Sequence, residues 1–555
     1  MISEQLRKFV PLIFAVIFCV LSINSISYKS HTRDENRHLV RGVMLLETGD
    51  YRLNKHHPVL ANVIAAVPQL FNHEFKVPST DSDLWRSANK DGLAEELVNI
   101  NGGKRDFAFN VLNKSRYFMI IIFALCGLWV VSEINKEFGY TTAVIFAFLY
   151  YFSPNLIANA QLVTSDALIV PLSFLSTLYL YKYSKYYDNL FFILFIFVSF
   201  LSLITKYSVI PVAFVWIVIL FITTYKHEKQ KRLMIWKAIR NCLIVLISWL
   251  ILLTATYGFR FESLKSTNYE DPQKTENNLF DLANFLKYTP SLIEPAQNIY
   301  INTPLPFPEY IQGFLDNVVF HNAYGHDTFL AGQYSKTGWW YYFPMSMAIK
   351  MPIPILFGTV ILFILGTRYL IEKRFKIGSL IILAAIPAFY MLLSMSSNIN
   401  LGLRHILIVF PFLYLGIAYL VSKAIRIKKT RIPLIVFGLW YVISAILIYP
   451  HYLEYFNEIV GGPKNGHFYL LDSNLSWAQD DFLVEDYINN LNTDKKIFEN
   501  PLEKITAGIV VIDVDLLMGR DVNKRPKTEW IREKYLNGEI EPIDRIAYTY
   551  LVFEF

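Results

Sequence analysis

Long apolar runs separated by short polar joints set the rhythm of this chain. Such runs fall near residues 9–27, 117–133, 139–153, 166–181, 189–205, 207–224, 241–258, 344–366, 377–395, 405–422 and 432–450. A membrane-crossing helix needs about 20 mostly apolar residues, so the pattern predicts a mostly α polytopic membrane protein of about eleven transmembrane helices, roughly ten to twelve if abutting runs fuse or split. Two long stretches, 28–116 and 259–343, interrupt the series. After residue 450 the pattern changes: "KITAGIVVIDVDLL" and "DRIAYTYLVFEF" are β-branched, aromatic runs of strand length. The predicted organisation is a transmembrane module over 1–450, including both long loops, followed by a small C-terminal α/β domain over 451–555.

Composition supports this reading. Of 555 residues, 54% are hydrophobic and only 18% charged, too apolar for a soluble protein of this length. The net charge of +6 does not point to nucleic acid, because the basic residues sit between apolar runs. Arg7 and Lys8, Lys182 and Lys185, and the segments 225–240, 367–376 and 423–431 all fall on one side of the predicted alternation. Lysine and arginine collect in short cytoplasmic loops, so the two long loops and the tail are expected to face outward. The first run could be read as a cleavable signal peptide, but its length and the charged segment after it favour a retained anchor. Cys19, Cys126 and Cys242 each lie inside an apolar run and form no disulfide or zinc framework.

Against this apolar background a few polar groups need an explanation. Asp34 and Glu35 lie just past the first run, and "GDYRLNKHHPVL" then brings Asp50, His56 and His57 toward another apolar stretch. In "SPNLIANAQLVTSDALIVP", Thr164 and Ser165 read as helix-start residues. Asp166 is either a cap or a carboxylate held at a cavity mouth, since charge at that depth is costly unless it is used or paired. Lys206, between two apolar runs on the lysine-poor side, and Arg404 in "GLRHILIVFPF" are candidate phosphate contacts, one a point charge and the other a bidentate fork. "FHNAYGHDTFLAGQYSKTGWWYYFP" carries His321, His326, Trp339 and Trp340 into a membrane entry, where an interfacial aromatic belt accounts for the aromatics. Asp513 and Asp515 alternate on a predicted strand and read as turn or surface groups.

Taken in order, the DE pair at 34–35, "GDY" with "HHPVL", "SPNLIANAQLVTSD", "TKYS", "GQYSKTGWWYYFP", "GLRHILIVFPF" and "EYFNEIVGGPKNGHFYLLDSNLSWAQDD" resemble the GT-C superfamily of polyprenyl-phosphate-sugar-dependent glycosyltransferases. The likeness is to bacterial relatives of the protein O-mannosyltransferase and lipid A aminoarabinose transferase type. It implies a bacterial inner-membrane protein with its site on the periplasmic side, a lipid-linked sugar donor, and a protein, lipid or glycan acceptor. The implied catalytic residues are Asp34, as general base, and Glu35. The implied donor contacts are Lys206, Arg404, His57, Asp166, His326 and Trp339. The chain departs from the family pattern at His56, Val59, Asn159 and "LSWAQDD". The changed acid at 56 leaves metal dependence open, with Asp166, His57 and His326 as the candidate ligands for a divalent cation. Rival classes are a flippase for lipid-linked saccharides, a glycan ligase or polymerase, and a scaffold without catalysis.

Overall fold

A computed structural model describes residues 9–227, 231–268, 272–287, 289–372 and 380–555. Arg7, Lys8, and the parts of the basic segments at 228–230 and 373–376 lie outside the described residues, as do residues 377–379 of one predicted run.

Each of the eleven runs is helical. The helices that form these runs and frame the site are α1 (Val10–Ile26), α2 (Glu35–Thr48), α3 (Val59–Ala66), α4 (Asn113–Phe138), α5 (Tyr140–Tyr151), α6 (Pro154–Ala160), α7 (Ile169–Tyr186), α8 (Asn189–Leu203), α9 (Ile210–His227), α10 (Lys231–Thr256), α11 (Tyr342–Lys350), α12 (Ile353–Glu372), α13 (Ile381–Met395), α14 (Phe410–Ala424) and α15 (Arg431–Leu447), and shorter helices lie in the two long segments between them. By length and composition five helical stretches can cross a membrane: 103–138, 207–227, 233–256, 403–424 and 428–447. The bent pair α5–α6 would make a sixth, and five shorter apolar helices add to the bundle. The expected eleven full spans are therefore not all met by single long helices. Proline is one cause: Pro352 separates α11 from α12, and at the 63° bend Pro154 opens α6 behind the Ser153 cap.

The chain is an integral membrane protein. Large apolar side chains such as Phe363 and Leu447 are about three-quarters exposed on the outer surface of the bundle, where only lipid can cover them. Inside, Phe18 of α1 packs against Phe123 and Tyr151 with ring centroids 5.5 Å away in each case. Charge gathers at the two ends of α4. At one end Arg116 meets Glu35; at the other Glu133 pairs with Lys136 and Lys182, and Glu137 with Lys185. Seventeen residues at 1.5 Å rise put these layers about 26 Å apart, close to the thickness of a hydrocarbon core.

The segment 28–116 folds over the first of these ends. α2 stops at Gly49, whose φ of +68° suits glycine. α2 and α3 cross so closely at Gly42 that a Cβ there would lie 1.9 Å from the Asn62 carbonyl oxygen. The segment 259–343 covers the same end. It carries two short antiparallel pairs, β1 (Phe261–Glu262) with β2 (Leu305–Pro306) and β3 (Thr328–Leu330) with β4 (Gln333–Ser335). The tail forms a mixed four-stranded sheet in the order β5 (Ile497–Glu499), β6 (Ile509–Asp513), β8 (Tyr550–Glu554), β7 (Asp544–Ile546), with α16 (Asp481–Asn490) against it. Alternation divides β6: Val510 and Ile512 join the main core, whereas Ile509 and Val511 pack with Val484 of α16. The sheet is thus fused to the bundle through one face.

Candidate active site

Four of the polar residues singled out in the sequence meet at one point. Asp34 sits at the start of α2, Asp166 in the buried link before α7, Lys206 between α8 and α9, and Arg404 in the 3₁₀ turn leading into α14. One Nη of Arg404 lies 3.3 Å from Asp34 and 3.2 Å from Asp166, so a single guanidinium bridges the two carboxylates. Lys206 pairs with the other oxygen of Asp166. Asp34 also receives Arg37 at 3.3 Å, and Arg37 in turn holds Asp91 at 2.6 Å. The Arg404 guanidinium lies over the Trp477 ring, 4.1 Å from its centroid, which adds a cation–π contact. Exposure is graded across the group: Asp166 5%, Lys206 12%, Arg404 13% and Asp34 29%. Asp34 is therefore the reachable carboxylate. Burial would raise the pKa of Asp166, but Lys206 and Arg404 outweigh it and hold the group well below the usual carboxylate range.

Beside this group His57 and His38 stand with ring centroids 4.6 Å apart. Burial lowers the pKa of both, His38 to about 4 and His57 well below its ordinary value, so both are neutral imidazoles at pH 7. A side-chain relay fixes the His38 tautomer. Asn54 donates to the Arg41 carbonyl, Asn62 donates to Asn54 Oδ1, and Asn62 Oδ1 is left to accept from His38 Nδ1 at 2.7 Å.

Several sequence expectations need correction. Glu35 does not face the site. It is fully buried, and it accepts from Arg116 Nε at 2.8 Å and Nη2 at 2.6 Å and from the amides of Thr32 and Val163. Burial pushes its pKa up, and Arg116 with these amides more than reverses that. With four donors on two oxygens it is a structural anchor and has no lone pair to spare for catalysis. Thr164 and Ser165 do not cap α7, because the helix starts at Ile169, and the whole link from Gln161 to Leu168 is buried. His326 stays in its own loop, with Nδ1 at 3.1 Å from the Asp327 carbonyl and its ring 5.9 Å from His321. Trp339 donates its backbone amide to Asn400 at 2.7 Å and so supports the turn before Arg404 without its ring joining the cluster. Asp513 and Asp515 are buried, not surface groups. Asp513 caps the helical turn that begins at Val514, and Asp515 pairs with Arg520, which also holds Asp472.

The metal set Asp166, His57 and His326 does not assemble. Among the described residues the one trio of metal-capable groups within 4.8 Å is His451, Glu454 and Asp480. The Lys29 ammonium lies among them, 3.1 Å from Glu454, 3.2 Å from Asp480 and 3.3 Å from His451. A lysine already supplies the cation that these acids require. The sequence reading missed Lys29, Glu454, Arg116, Arg37 and Trp477. The available signal was a charged residue at the edge of an apolar run, as Lys29 and Arg116 are. An apolar groove of about 490 Å³ runs along the side of α12 from Phe363 to Glu372, a second of about 300 Å³ lies between α9 and α10 and is lined by Phe221 and Cys242, and neither contains a residue of the charged cluster.

No protein-family model matches the chain, and no curated protein matches it by sequence. Among solved structures it is similar to ArnT from Cupriavidus metallidurans. The apo form is 12% identical and the form bound to undecaprenyl phosphate 11%, each match covering 98% of this chain and 97% of that one with a TM-score of 0.29. It is also similar to the Archaeoglobus fulgidus oligosaccharyltransferase in complex with Zn and sulfate, at 12% identity over 93% of this chain and 70% of that one, with a TM-score of 0.39. At these scores the likeness carries no argument about chemistry, which rests on the residues themselves.

Proposed function

We propose that the protein is an integral membrane glycosyltransferase that moves a sugar from a polyprenyl-phosphate donor to an acceptor on the outer face, with inversion and with Asp34 as general base. The observation that carries this reading is the convergence of Asp34, Asp166, Lys206 and Arg404, drawn from segments up to 370 residues apart, at one end of the bundle. A reachable carboxylate next to fixed cations, at the edge of an apolar bundle, is what transfer from a lipid phosphate requires.

In the reaction, the Asp34 carboxylate takes the proton from the acceptor hydroxyl or amine as that atom attacks the anomeric carbon. The bond from that carbon to the phosphate oxygen breaks, and its electron pair stays with the phosphate. Lys206 and Arg404, preset by Asp166, oppose the charge that develops there. A positioned base contributes about 100- to 10,000-fold in rate. The charge pattern of the loops supports an outward orientation of this end.

The test uses purified full-length protein in liposomes with a labelled polyprenyl-phosphate sugar and an envelope acceptor. Sugar transfer lost in Asp34→Asn, with folding and donor binding retained, is the expected result. A labelled saccharide that crosses the vesicle wall with no new glycosidic bond would replace this reading with a flippase.

A further inference from the structure

Basic residues at the end of the bundle away from Asp34 are of two kinds. Some are neutralised: Glu133 pairs with Lys136 and Lys182, and Glu137 with Lys185. Others lie in the turn between α14 and α15, where residues 423–431 read KAIRIKKTR, with five cations and no acid. Two contacts place that turn in the same layer as Glu133 and Glu137. Thr142 donates to the Ser422 hydroxyl at 3.2 Å, and the Phe138 and Tyr419 rings meet edge to face at 6.3 Å. Lys423, Arg426, Lys428, Lys429 and Arg431 are all exposed, and among the described residues none has a carboxylate within ion-pair distance.

The turn is ordered from within. Arg431 Nε donates to the Ile425 carbonyl at 3.0 Å, the Thr430 hydroxyl to the Ile427 carbonyl at 2.9 Å, and the Ile427 amide to the Ala424 carbonyl at 2.9 Å. The Nη groups of Arg431 are left without a partner among the described residues. Ile425, Ile427 and Ile432 are interleaved with the cations and are exposed, Ile432 by about three-quarters. Because α14 ends at Ala424 and α15 starts at Arg431, and both belong to stretches able to cross a membrane, the link cannot rise far above the bilayer surface. Its cations therefore stand at the depth of lipid phosphates and its isoleucines at the acyl boundary below. A soluble acidic partner would meet the charges and leave the isoleucines uncovered.

We propose that the α14–α15 turn is a binding site for the headgroup of an anionic phospholipid, in the leaflet opposite the candidate active site. The lipid phosphodiester accepts from Lys428, Lys429 and the Nη groups of Arg431, with Lys423 and Arg426 adding to the field. Ile427 and Ile432 meet the upper part of its acyl chains. The glycosyltransferase reading plays no part in this inference.

The experiment titrates the full-length protein in neutral detergent with phosphatidylglycerol, phosphatidylcholine, inorganic phosphate and a polyglutamate peptide, and follows retained ligand by native mass spectrometry and protection by thermal unfolding. Wild type is expected to retain phosphatidylglycerol in preference to the other three. Lys428→Gln with Lys429→Gln should weaken that binding about 10- to 30-fold, since each cation near an anionic surface contributes about fivefold, and the difference should shrink at high salt. Without lipid this variant should melt like wild type, because neither lysine is paired. Lys428→Arg with Lys429→Arg should bind like wild type. Lys464→Gln with Lys504→Gln, which removes two exposed lysines of the tail instead, should also bind like wild type. The inference is overturned if the Lys428/Lys429 glutamine variant binds phosphatidylglycerol as wild type does, if the tail variant loses as much, or if phosphatidylcholine binds equally well. Equal protection by inorganic phosphate would overturn the lipid as the source of the phosphate, and tighter binding of polyglutamate would replace it with an acidic protein.

Discussion

Two charged clusters at the same end of the bundle use the same residue types to opposite ends. In the cluster at Lys29, the carboxylates of Glu454 and Asp480 are wholly buried and share one ammonium, itself 2% exposed. In the cluster at Asp34, two carboxylates meet three cations, Lys206, Arg404 and Arg37, and exposure rises from 5% at Asp166 to 29% at Asp34. The first cluster ties the end of α1 to the segment after α15 and to the start of α16, with His451 at its rim, 3.7 Å from Glu454 and 4.0 Å from Asp480. The second gives each acid two cations and is open. Two buried acids that share one ammonium make ionisation of both costly. Accordingly burial, and Glu454 after it, raise Asp480 to about 7 against the pull of Lys29. What separates a lock from a reactive site here is access and charge balance, not residue type.

The contrast can be broken at several points. The largest effect is expected from Asp34→Asn, which should cut sugar transfer about 100- to 10,000-fold and leave the melting temperature nearly unchanged; a variant that keeps its turnover removes Asp34 as base. Glu35→Gln should do the reverse, since it leaves Arg116 buried without its anion at a cost of about 3–5 kcal/mol. Thermal unfolding in detergent should show a large drop, and a stable but inactive Glu35→Gln protein would return Glu35 to the catalytic set. Arg404→Gln lies between the two: it removes a bridge between carboxylates and a phosphate contact, so the donor KM should rise about 10- to 100-fold with a moderate loss of stability.

A smaller effect tests the sealed cluster through pH. The folded pKa of Asp480 lies above its ordinary value of 3.8, so between about 4 and 7 the folded state holds a proton that the unfolded state has lost. The contribution of this group to stability therefore falls as pH rises through that window. Asp480→Asn should flatten that slope in a melting series from pH 4 to 8, and an unaltered slope would show that Asp480 is ionised throughout. Least of all is expected from His326→Ala. It should change transfer less than about 2-fold, because among the described residues this imidazole meets Asp327 and His321 of its own segment.

How much of this could be read from the sequence differs with the scale of the question. The apolar runs fixed where helices form, because a stretch of about 20 oily residues has few other ways to satisfy its backbone in a membrane. The order of polar residues along those runs also named Asp34, Asp166, Lys206 and Arg404. It could not separate Asp34 from Glu35, adjacent and chemically alike. That choice was made by α2, which turns one carboxylate toward Arg404 and the other toward Arg116. Nor could local signals show that Asp166 pairs across the bundle instead of capping a helix, or that Asp513 and Asp515 are buried under the sheet. Helix formation depends on neighbours a few residues away, which a sequence displays directly. The state of a charged group depends on solvent access and on the charges that reach it from distant segments, and only the tertiary structure brings those together.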